Sequence, residues 1–384
     1  MLQDFYLYIL KFTGFFIFIF HIISFNSIFC DRSKRSILDD PKYKWNLPIK
    51  YRIDSDKYRA LIQNSIDNLE KQTCIRFQKT NETEFEGFKF IEGENCVSVV
   101  GKSSKLRPQN ISISDDCITM GGIQHEIAHS LGILHEMSRR DRDKYIKIFK
   151  KNIANYAYTN FVIYDNFKTN SYGIKFNYGS GMLYDRFAGS KNSKPATSAK
   201  KKYYSKTMGQ IFDLAFTDIK LLNYHYCNQT CEIKLNCENN GYTNPNKCSA
   251  CKCPNFFTGK LCNEIWPSPP SCGKTKLYAT SRYKKLYVYG RKKCLYEIYS
   301  QKNKRIKLKI QYASLTRLDP CQRNHGLEIK YLTDKSVSGA MFCGVYKKAS
   351  ITTLSDKVFV YYVGLKKFHR TKIIFKSISR KKKH

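Results

Sequence analysis

Hydrophobic and polar residues follow three different patterns along the chain. Residues 6–29, YLYILKFTGFFIFIFHIISFNSIF, are almost all apolar. The segment IQNSIDNLEKQ and the residues before it carry apolar side chains at helical spacing, which predicts a helix with one apolar stripe formed by Leu61, Ile62, Ile66 and Leu69. Near the C-terminus, RIKLKIQY and KVFVYYV are alternating runs that predict half-buried strands.

The apolar run at the N-terminus predicts a secretory signal peptide over residues 1–30. Because the run is long enough to span a bilayer, an uncleaved anchor helix is the alternative. The basic sequence RSKR that follows is the kind of site that furin-like proteases cut. We therefore expect a short pro-segment at residues 31–35, a mature chain that starts near Ser36, and no stable membrane insertion after processing.

Length and cysteine content indicate an exported protein of several domains. A chain of 384 residues suits two or three domains. Its 15 cysteines predict disulfides, which persist only in an oxidising compartment, and hence a secreted, extracellular protein. The odd count becomes even if cleavage after Cys30 removes one thiol. Glycosylation sequons at Asn81, Asn110 and Asn228 fit the same compartment.

The formal net charge of +36 has two interpretations. Lysine and arginine are spread along the chain without a nucleic-acid-binding motif, so nucleic acid is not an expected partner. In a secreted protein, this charge favours acidic glycans or extracellular matrix as weak, salt-sensitive partners. The alternative is a bias of base composition, because lysine, asparagine, tyrosine, isoleucine and phenylalanine are all abundant.

A candidate metal site lies in HEIAHSLGILHE. His125 and His129 are four residues apart, so on a helix both imidazoles lie on one face. Glu126 emerges beside them, placed to take a proton from a metal-bound water rather than to bind the metal. Gly132 can end the helix in a left-handed conformation, after which the chain can return His135 as a third ligand. Three histidines leave one coordination position open, which is typical of a catalytic zinc site.

This motif resembles that of the metzincins, and Glu136 after the third histidine resembles the astacin branch. The segments SRRDRDKYIKI, YGSGMLYDRFA and TMGQIFDLAFTDIKLLNYHYC are similar to later astacin segments. The resemblance implies an α+β fold for residues 36–227, a metzincin-type zinc protease domain with a mixed sheet, long helices and two subdomains around a cleft. It also implies one zinc ion per subunit.

The resemblance assigns roles to three further residues. Met182 is expected in a turn beneath the metal site. Tyr184 is expected to bind zinc in the resting enzyme and to stabilise the oxyanion of the transition state. Glu136 is expected to interact with the N-terminus freed by trimming near Ser36, which would make trimming the activation step. Residues 31–35 carry no copy of the aspartate motif that caps the zinc in family zymogens, so the mechanism of latency stays open.

Three residues near the site depart from the family pattern. Leu183 stands where the family usually has histidine, Gly181 replaces a usual valine, and Ile133 replaces a usual phenylalanine. None of them is a metal ligand or the base, so the departures concern the rigidity of the turn and the choice of substrate.

The C-terminal part resembles two extracellular modules. Six cysteines in residues 228–263 are similar to an EGF-like module, although six cysteines allow fifteen connectivities and a zinc knuckle is the alternative. WPSPPS predicts a stiff proline-rich linker within residues 264–271. Residues 272–378 resemble a CUB domain, an all-β sandwich, and residues 379–384 form a basic tail. The resemblances imply seven disulfides: Cys74–Cys227, Cys96–Cys117, Cys231–Cys248, Cys237–Cys251, Cys253–Cys262, Cys272–Cys294 and Cys321–Cys343.

The sequence thus predicts a secreted zinc endopeptidase that hydrolyses protein or peptide substrates through a zinc-bound water, with Glu126 as general base. The order of protease, EGF-like module and CUB domain is typical of nematode astacins, so extracellular matrix, cuticle or host tissue proteins are the expected targets. The alternative is a catalytically inert extracellular binding protein that acts through its EGF-like and CUB modules.

Overall fold

The computed structural model describes residues 36–380, apart from residues 104 and 106. The expected signal peptide and pro-segment, residue Cys30 and the last four residues of the basic tail lie outside the described residues. Within the described residues, no helix has both the length and the apolar character needed to cross a membrane.

The α-helices of the described chain all lie before Cys227, and strands dominate the rest. The α-helices are α1 Arg59–Gln72, α2 Met120–Ser130 and α3 Phe216–Tyr226. Short 3-10 helices span Pro41–Tyr43, Asp115–Cys117, Glu136–Ser138, Arg142–Lys144, Lys150–Asn152, Asn155–Phe161 and Pro270–Cys272. The strands are β1 Ile37–Leu38, β2 Ile49–Ile53, β3 Phe77–Lys79, β4 Gly87–Glu92, β5 Val97–Ser98, β6 Gln109–Ile113, β7 Ile146–Ile148, β8 Thr169–Asn170, β9 Thr197–Ala199, β10 Tyr242–Asn244, β11 Lys247–Lys252, β12 Phe257–Thr258, β13 Glu264–Ile265, β14 Lys276–Tyr278, β15 Lys284–Tyr289, β16 Lys292–Tyr299, β17 Arg305–Ser314, β18 Gly326–Lys330, β19 Ala340–Phe342, β20 Val345–Thr352, β21 Lys357–Gly364 and β22 Arg370–Ile378.

A mixed five-stranded sheet organises the first of two subdomains in residues 36–227, the region expected to be a peptidase domain. Its order is β3-β2-β4-β6-β5, and every pair is parallel except the antiparallel edge pair of β5 and β6. The α1 stripe predicted from the sequence faces the core of this subdomain, where Ile62, Ile66 and Leu69 are buried. The remaining stripe residue, Leu61, is only partly buried at the margin of the core. Helix α2 contributes Ile123 and Ile127 to the same core, so the helix that carries the site is fixed against the sheet.

The second subdomain has little regular structure. It contains the two-stranded sheet β7–β9, several 3-10 helices and a core that includes Phe161, Phe176, Tyr178 and Met208. Helix α3 follows and ends at Tyr226, and a disulfide joins the next residue, Cys227, to Cys74 just after α1. The end of the second subdomain is thereby tied back to the first.

The structure contains seven disulfides, and their partners are the same as those implied by the resemblances. The pairs are Cys74–Cys227, Cys96–Cys117, Cys231–Cys248, Cys237–Cys251, Cys253–Cys262, Cys272–Cys294 and Cys321–Cys343. Three of them hold residues 228–263, the segment that resembles an EGF-like module and is called the EGF-like module for that resemblance. It has almost no apolar core of its own and forms two short hairpins, β10–β11 and β12–β13. The second hairpin extends this module into the expected linker, because Glu264 pairs with Thr258 and Ile265 with Phe257.

The segment from residue 272 to residue 378, expected to be a CUB domain, is a sandwich of two sheets. One sheet has the order β14-β16-β21-β18-β19 and the other β15-β22-β17-β20. Neighbouring strands are antiparallel except for the parallel pair of β14 and β16. Inward side chains from both sheets, such as Leu308 and Val360, form the core of the sandwich.

Strand β21 differs from its sequence-based expectation. KVFVYYV was expected to be half-buried, but every residue of β21 after Lys357 is buried. One face of the strand enters the sandwich core, while Phe359 and Tyr361 on the other face contact the EGF-like module. The ring of Phe257 lies 4.9 Å from that of Phe359, and the ring of Phe256 lies 5.2 Å from that of Tyr361. The EGF-like module therefore covers a sheet face that would otherwise be exposed.

The CUB domain also packs directly on the second subdomain of the peptidase region. The rings of Tyr204 and Tyr331 are 5.6 Å apart, and both residues belong to a hydrophobic core that is continuous between the two domains. The backbone N–H of Ser338 donates to Asn177 Oδ1 at 3.0 Å, and that of Met341 donates to Thr207 Oγ1 at 3.0 Å.

The packing between the EGF-like module and the CUB domain predicts a stability effect. Phe257→Ala removes a ring that is 3% exposed, so we expect a loss of about 3 kcal/mol in the free energy of unfolding. Phe368→Ala is the matched control, because Phe368 is 66% exposed and its loss is expected to change stability by no more than about 0.5 kcal/mol. Denaturant unfolding of both variants checks this, and equal midpoints would contradict the packing role of Phe257.

Candidate active site

Helix α2 and the turn after it position the three histidines. The helix is capped at its start by Thr119, whose side chain accepts a hydrogen bond from the Gly122 N–H at 3.0 Å. It carries His125 and His129 one turn apart. Gly132 then adopts φ 100°, a left-handed conformation that glycine takes without steric cost, and the chain returns to place His135 beside the helix.

The imidazole nitrogens converge on one point. His135 Nε2 lies 3.0 Å from His129 Nε2 and 3.3 Å from His125 Nε2. The opposite nitrogens of the helical pair lie near backbone carbonyls, with His125 Nδ1 2.8 Å from Gly181 O and His129 Nδ1 2.7 Å from Ile133 O. A carbonyl accepts a hydrogen bond, so these contacts assign the proton to Nδ1 and leave the Nε2 lone pairs facing each other. Lone pairs at this distance fit a shared cation.

Burial keeps His129 and His135 neutral, as metal binding requires. Burial lowers the pKa of His129 to about 3 and that of His135 well below its usual value. Within the part of the chain that the structure describes, these three histidines are the one group of three or more histidine, cysteine, aspartate or glutamate side chains close enough to hold a metal ion. A set of three imidazole nitrogen donors without a thiolate fits catalytic zinc.

Glu126 lies next to His125 on the helix and is 7% exposed. Its Oε2 accepts a hydrogen bond from Ser98 Oγ at 2.8 Å, and its backbone carbonyl accepts from the same hydroxyl at 2.9 Å. Burial raises the pKa of Glu126. Ser98 belongs to edge strand β5 and was not predicted as a site residue, because nothing in the local sequence around it signals a contact with the motif.

Tyr184 lies beside the histidines. Its ring centroid is 4.5 Å from that of His135 and 6.3 Å from that of His125. Burial raises the pKa of Tyr184 to about 12, so its phenol is protonated at neutral pH in the absence of a metal ion. It can therefore act as a hydrogen-bond donor at the site.

The turn around Met182 holds two of the ligands in place. Met182 is 1% exposed, and its carbonyl accepts a hydrogen bond from the N–H of Glu136, next to His135, at 2.8 Å. Asp218 on α3 fixes the same turn, because its carboxylate accepts hydrogen bonds from Ser180 Oγ at 2.7 Å and from the Gly181 N–H at 2.8 Å. Gly181 in turn supplies the carbonyl that orients His125. Asp218 was not predicted as a site residue.

Glu136 is buried in a cluster that includes the first described residue. Its Oε1 accepts hydrogen bonds from the Asn177 N–H at 2.8 Å and from Arg139 Nη1 at 3.4 Å. Arg139 Nη1 also donates to Ser36 Oγ at 3.1 Å, while the Ser36 N–H donates to Asn170 O at 3.2 Å. Burial raises the pKa of Glu136 to about 7. Arg139 thus links Glu136 to Ser36, the residue at which trimming is expected.

The departures from the family pattern lie around the turn. Leu183 is buried, and Ile133 supplies the carbonyl next to His129. A Cβ atom at Gly181 would lie 3.1 Å from Leu214 Cδ2, so the valine usual in the family would require Leu214 to move.

The link from Asp218 to His125 predicts an effect on zinc affinity. Asp218→Ala removes the carboxylate that holds the turn, and we expect zinc to bind about 10–100-fold more weakly. Asp218→Asn keeps one acceptor oxygen and is expected to have a smaller effect. Asp56→Ala, at a carboxylate with a side chain that is 94% exposed, is the matched control. Competition with a chromogenic zinc chelator measures all three, and equal affinities of Asp218→Ala and the control would contradict the role of Asp218.

Comparisons with known proteins identify two domains in the chain. The model for the Astacin peptidase family matches residues 37–227, and the model for the CUB domain matches residues 272–372. Zinc metalloproteinase nas-34 from Caenorhabditis elegans is 33% identical over 340 residues, which cover 87% of this chain and 56% of the relative. Zinc metalloproteinase dpy-31 from Brugia malayi is 30% identical over 352 residues, which cover 86% of this chain and 58% of the relative.

A solved structure that is similar to part of the chain is high choriolytic enzyme 1, a hatching enzyme zinc-protease from the medaka fish Oryzias latipes. The two are 30% identical with a TM-score of 0.43, and the match covers 47% of this chain and 92% of that chain. The chain spans about half the length of the two metalloproteinases named above. Residues 37–227 of this chain therefore belong to the astacin family of zinc metalloproteinases.

Proposed function

We propose that this protein is an active, secreted zinc endopeptidase that cleaves protein or peptide substrates. The observation that carries the proposal is the convergence of three imidazoles next to the carboxylate of Glu126 in an open cleft. An inert binding protein would need neither the three converging ligands nor the adjacent base. The geometry therefore favours the enzyme over the binding protein.

The metal centre is assigned to His125, His129 and His135, with Tyr184 as a further ligand in the resting enzyme. When bound there, zinc supplies the Lewis acidity that polarises a peptide carbonyl and makes a water molecule more acidic.

A substrate can lie across the cleft on both sides of this centre. One cavity has a volume of about 280 Å³ and the other about 290 Å³, and both are lined by His125, Glu126 and Tyr184. Strand β5 borders the second cavity through Val97 and Ser98, and it is the edge of its sheet. An extended peptide can add to such an edge by main-chain hydrogen bonds, which orients the scissile bond over Glu126.

Glu126 moves the protons of the reaction. Ser98 holds Oε2, so Oε1 is assigned as the atom that accepts the proton of the attacking water and later delivers it to the leaving amine. Burial favours the neutral form of this carboxyl, which suits a group that must also act as an acid. Tyr184 donates a hydrogen bond from its phenol to the oxyanion that develops on the substrate.

Several features support action outside the cell after processing. The described residues hold seven disulfides, and the sequon residues Asn81, Asn110 and Asn228 are all exposed. The burial of Ser36 beside Arg139 supports trimming near Ser36 as the activation step. Extracellular matrix, cuticle or host tissue proteins are the proposed substrates, and acidic glycans are proposed as weak partners of the basic chain.

Glu126→Gln tests the proposal most simply. The amide keeps the size of the side chain but cannot accept the proton, so we expect casein cleavage to fall by about 10²–10⁴-fold or more while zinc content stays the same. Glu94→Gln, at an exposed residue, is the matched control. Cleavage by the Glu126 variant at the rate of the control would refute the assignment of the base.

Tyr184→Phe tests the oxyanion role. The variant lacks the phenol hydroxyl, so we expect kcat to fall by roughly 10²-fold with little change in KM. Steady-state kinetics on a peptide substrate separate the two parameters. A raised KM at normal kcat would instead place Tyr184 in ground-state binding.

A further inference from the structure

The loop between β17 and β18 of the CUB domain, residues 315–325, reaches the cleft. Pro320 and Gln322 line the cavity of about 280 Å³ together with His125, Glu126 and Tyr184. Both loop residues lie far from the motif in sequence and belong to a different domain. The cavity is therefore not built by the peptidase domain alone.

Hydrogen bonds fix this loop to the peptidase segment that forms the adjacent wall. Gln322 Nε2 donates to Gly209 O at 3.0 Å, and Gln322 Oε1 accepts from the Ile211 N–H at 3.3 Å. In the opposite direction, Gln210 Nε2 donates to Cys321 O at 2.7 Å and Gln210 Oε1 accepts from the Arg323 N–H at 3.0 Å. Two glutamines thus exchange four hydrogen bonds with the facing backbone, and both are buried.

Ion pairs and a disulfide hold the same contact. Arg323 is 9% exposed and its Nη2 lies 2.7 Å from Asp213 Oδ1. Arg186 follows the lining residue Asp185 in sequence, and its Nη2 lies 2.6 Å from Asp319 Oδ2 of the loop. The Cys321–Cys343 disulfide joins the loop to the body of the CUB domain. The loop is therefore a fixed wall of the cavity.

The lining of this cavity is mostly apolar. Leu183, Ala188, Ile211 and Pro320 present apolar surface. The carboxylate of Asp185, also in the lining, accepts hydrogen bonds at Oδ1 from the N–H groups of Phe187 and Ala188, which tie this oxygen to the backbone. A cavity of this size and lining fits an apolar side chain of the substrate.

We propose that Pro320 and Gln322 of the CUB domain form one wall of a substrate subsite and set which apolar side chain is accepted next to the scissile bond. The inference rests on the proposed peptidase function. It makes the CUB domain a determinant of cleavage preference in addition to any role in targeting.

Cleavage-site profiling of the trimmed full chain with a peptide library tests this inference. Gln322→Ala removes two hydrogen bonds and enlarges the cavity, and Pro320→Ala trims the same wall. For each variant we expect at least about a tenfold shift in the ratio of kcat/KM between peptides with a large and a small apolar residue at one position. The ratio does not depend on the fraction of active protein, so partial misfolding of one variant does not hide the effect.

Two further variants complete the test. Gln301→Ala, at an exposed glutamine of the CUB domain, is the matched control and is expected to keep the wild-type preference. Ala188→Leu fills the cavity from the peptidase side and is expected to shift the same position toward small residues.

If Ala188→Leu shifts the preference and neither CUB variant does, the cavity binds substrate but the CUB wall does not select, and the inference is wrong. Unchanged preference in all variants would also overturn it. If the wild-type protein does not cleave any peptide, the proposed function fails and the inference fails with it.

Discussion

The left-handed turn at Gly132 is the constraint on which the site depends. A Cβ atom at this position would meet its nearest neighbour at 3.5 Å, an ordinary contact, so the restriction comes from the backbone conformation and not from space. The turn does two things at once. It returns His135 so that its Nε2 lies 3.0 Å from His129 Nε2. It also places the Ile133 carbonyl where it accepts a hydrogen bond from His129 Nδ1. The same few residues thus supply one ligand and orient another.

The packing of the domains determines the shape of the cleft. The EGF-like module covers the outer face of β21, and the CUB domain shares a continuous core with the second peptidase subdomain. The three modules are therefore packed on one another. This arrangement explains how residues far beyond the zinc motif in the chain come to line the cavity beside Glu126.

The sequence predicted the local part of the site and missed the part that depends on tertiary contacts. The ligands were predictable because the spacing of His125 and His129 and the glycine after them act within one helix and one turn. The implied disulfide partners are those found in the structure, but the pairing within the EGF-like module came from resemblance, because six cysteines allow fifteen connectivities. Ser98 contacts Glu126 across 28 residues, and Asp218 reaches Gly181 across 37. No local pattern marks such contacts. The half-burial expected for β21 was wrong for the same reason, since the cover on its outer face comes from a separate module.

The central claim is that three imidazoles of this chain hold a single zinc ion. Zinc-edge X-ray absorption on the purified, trimmed protein tests it most directly. The account predicts one zinc ion per chain with nitrogen and oxygen ligands at about 2.0–2.1 Å and a clear imidazole signature. A spectrum dominated by sulfur at about 2.3 Å, or a protein that retains no zinc, would contradict it.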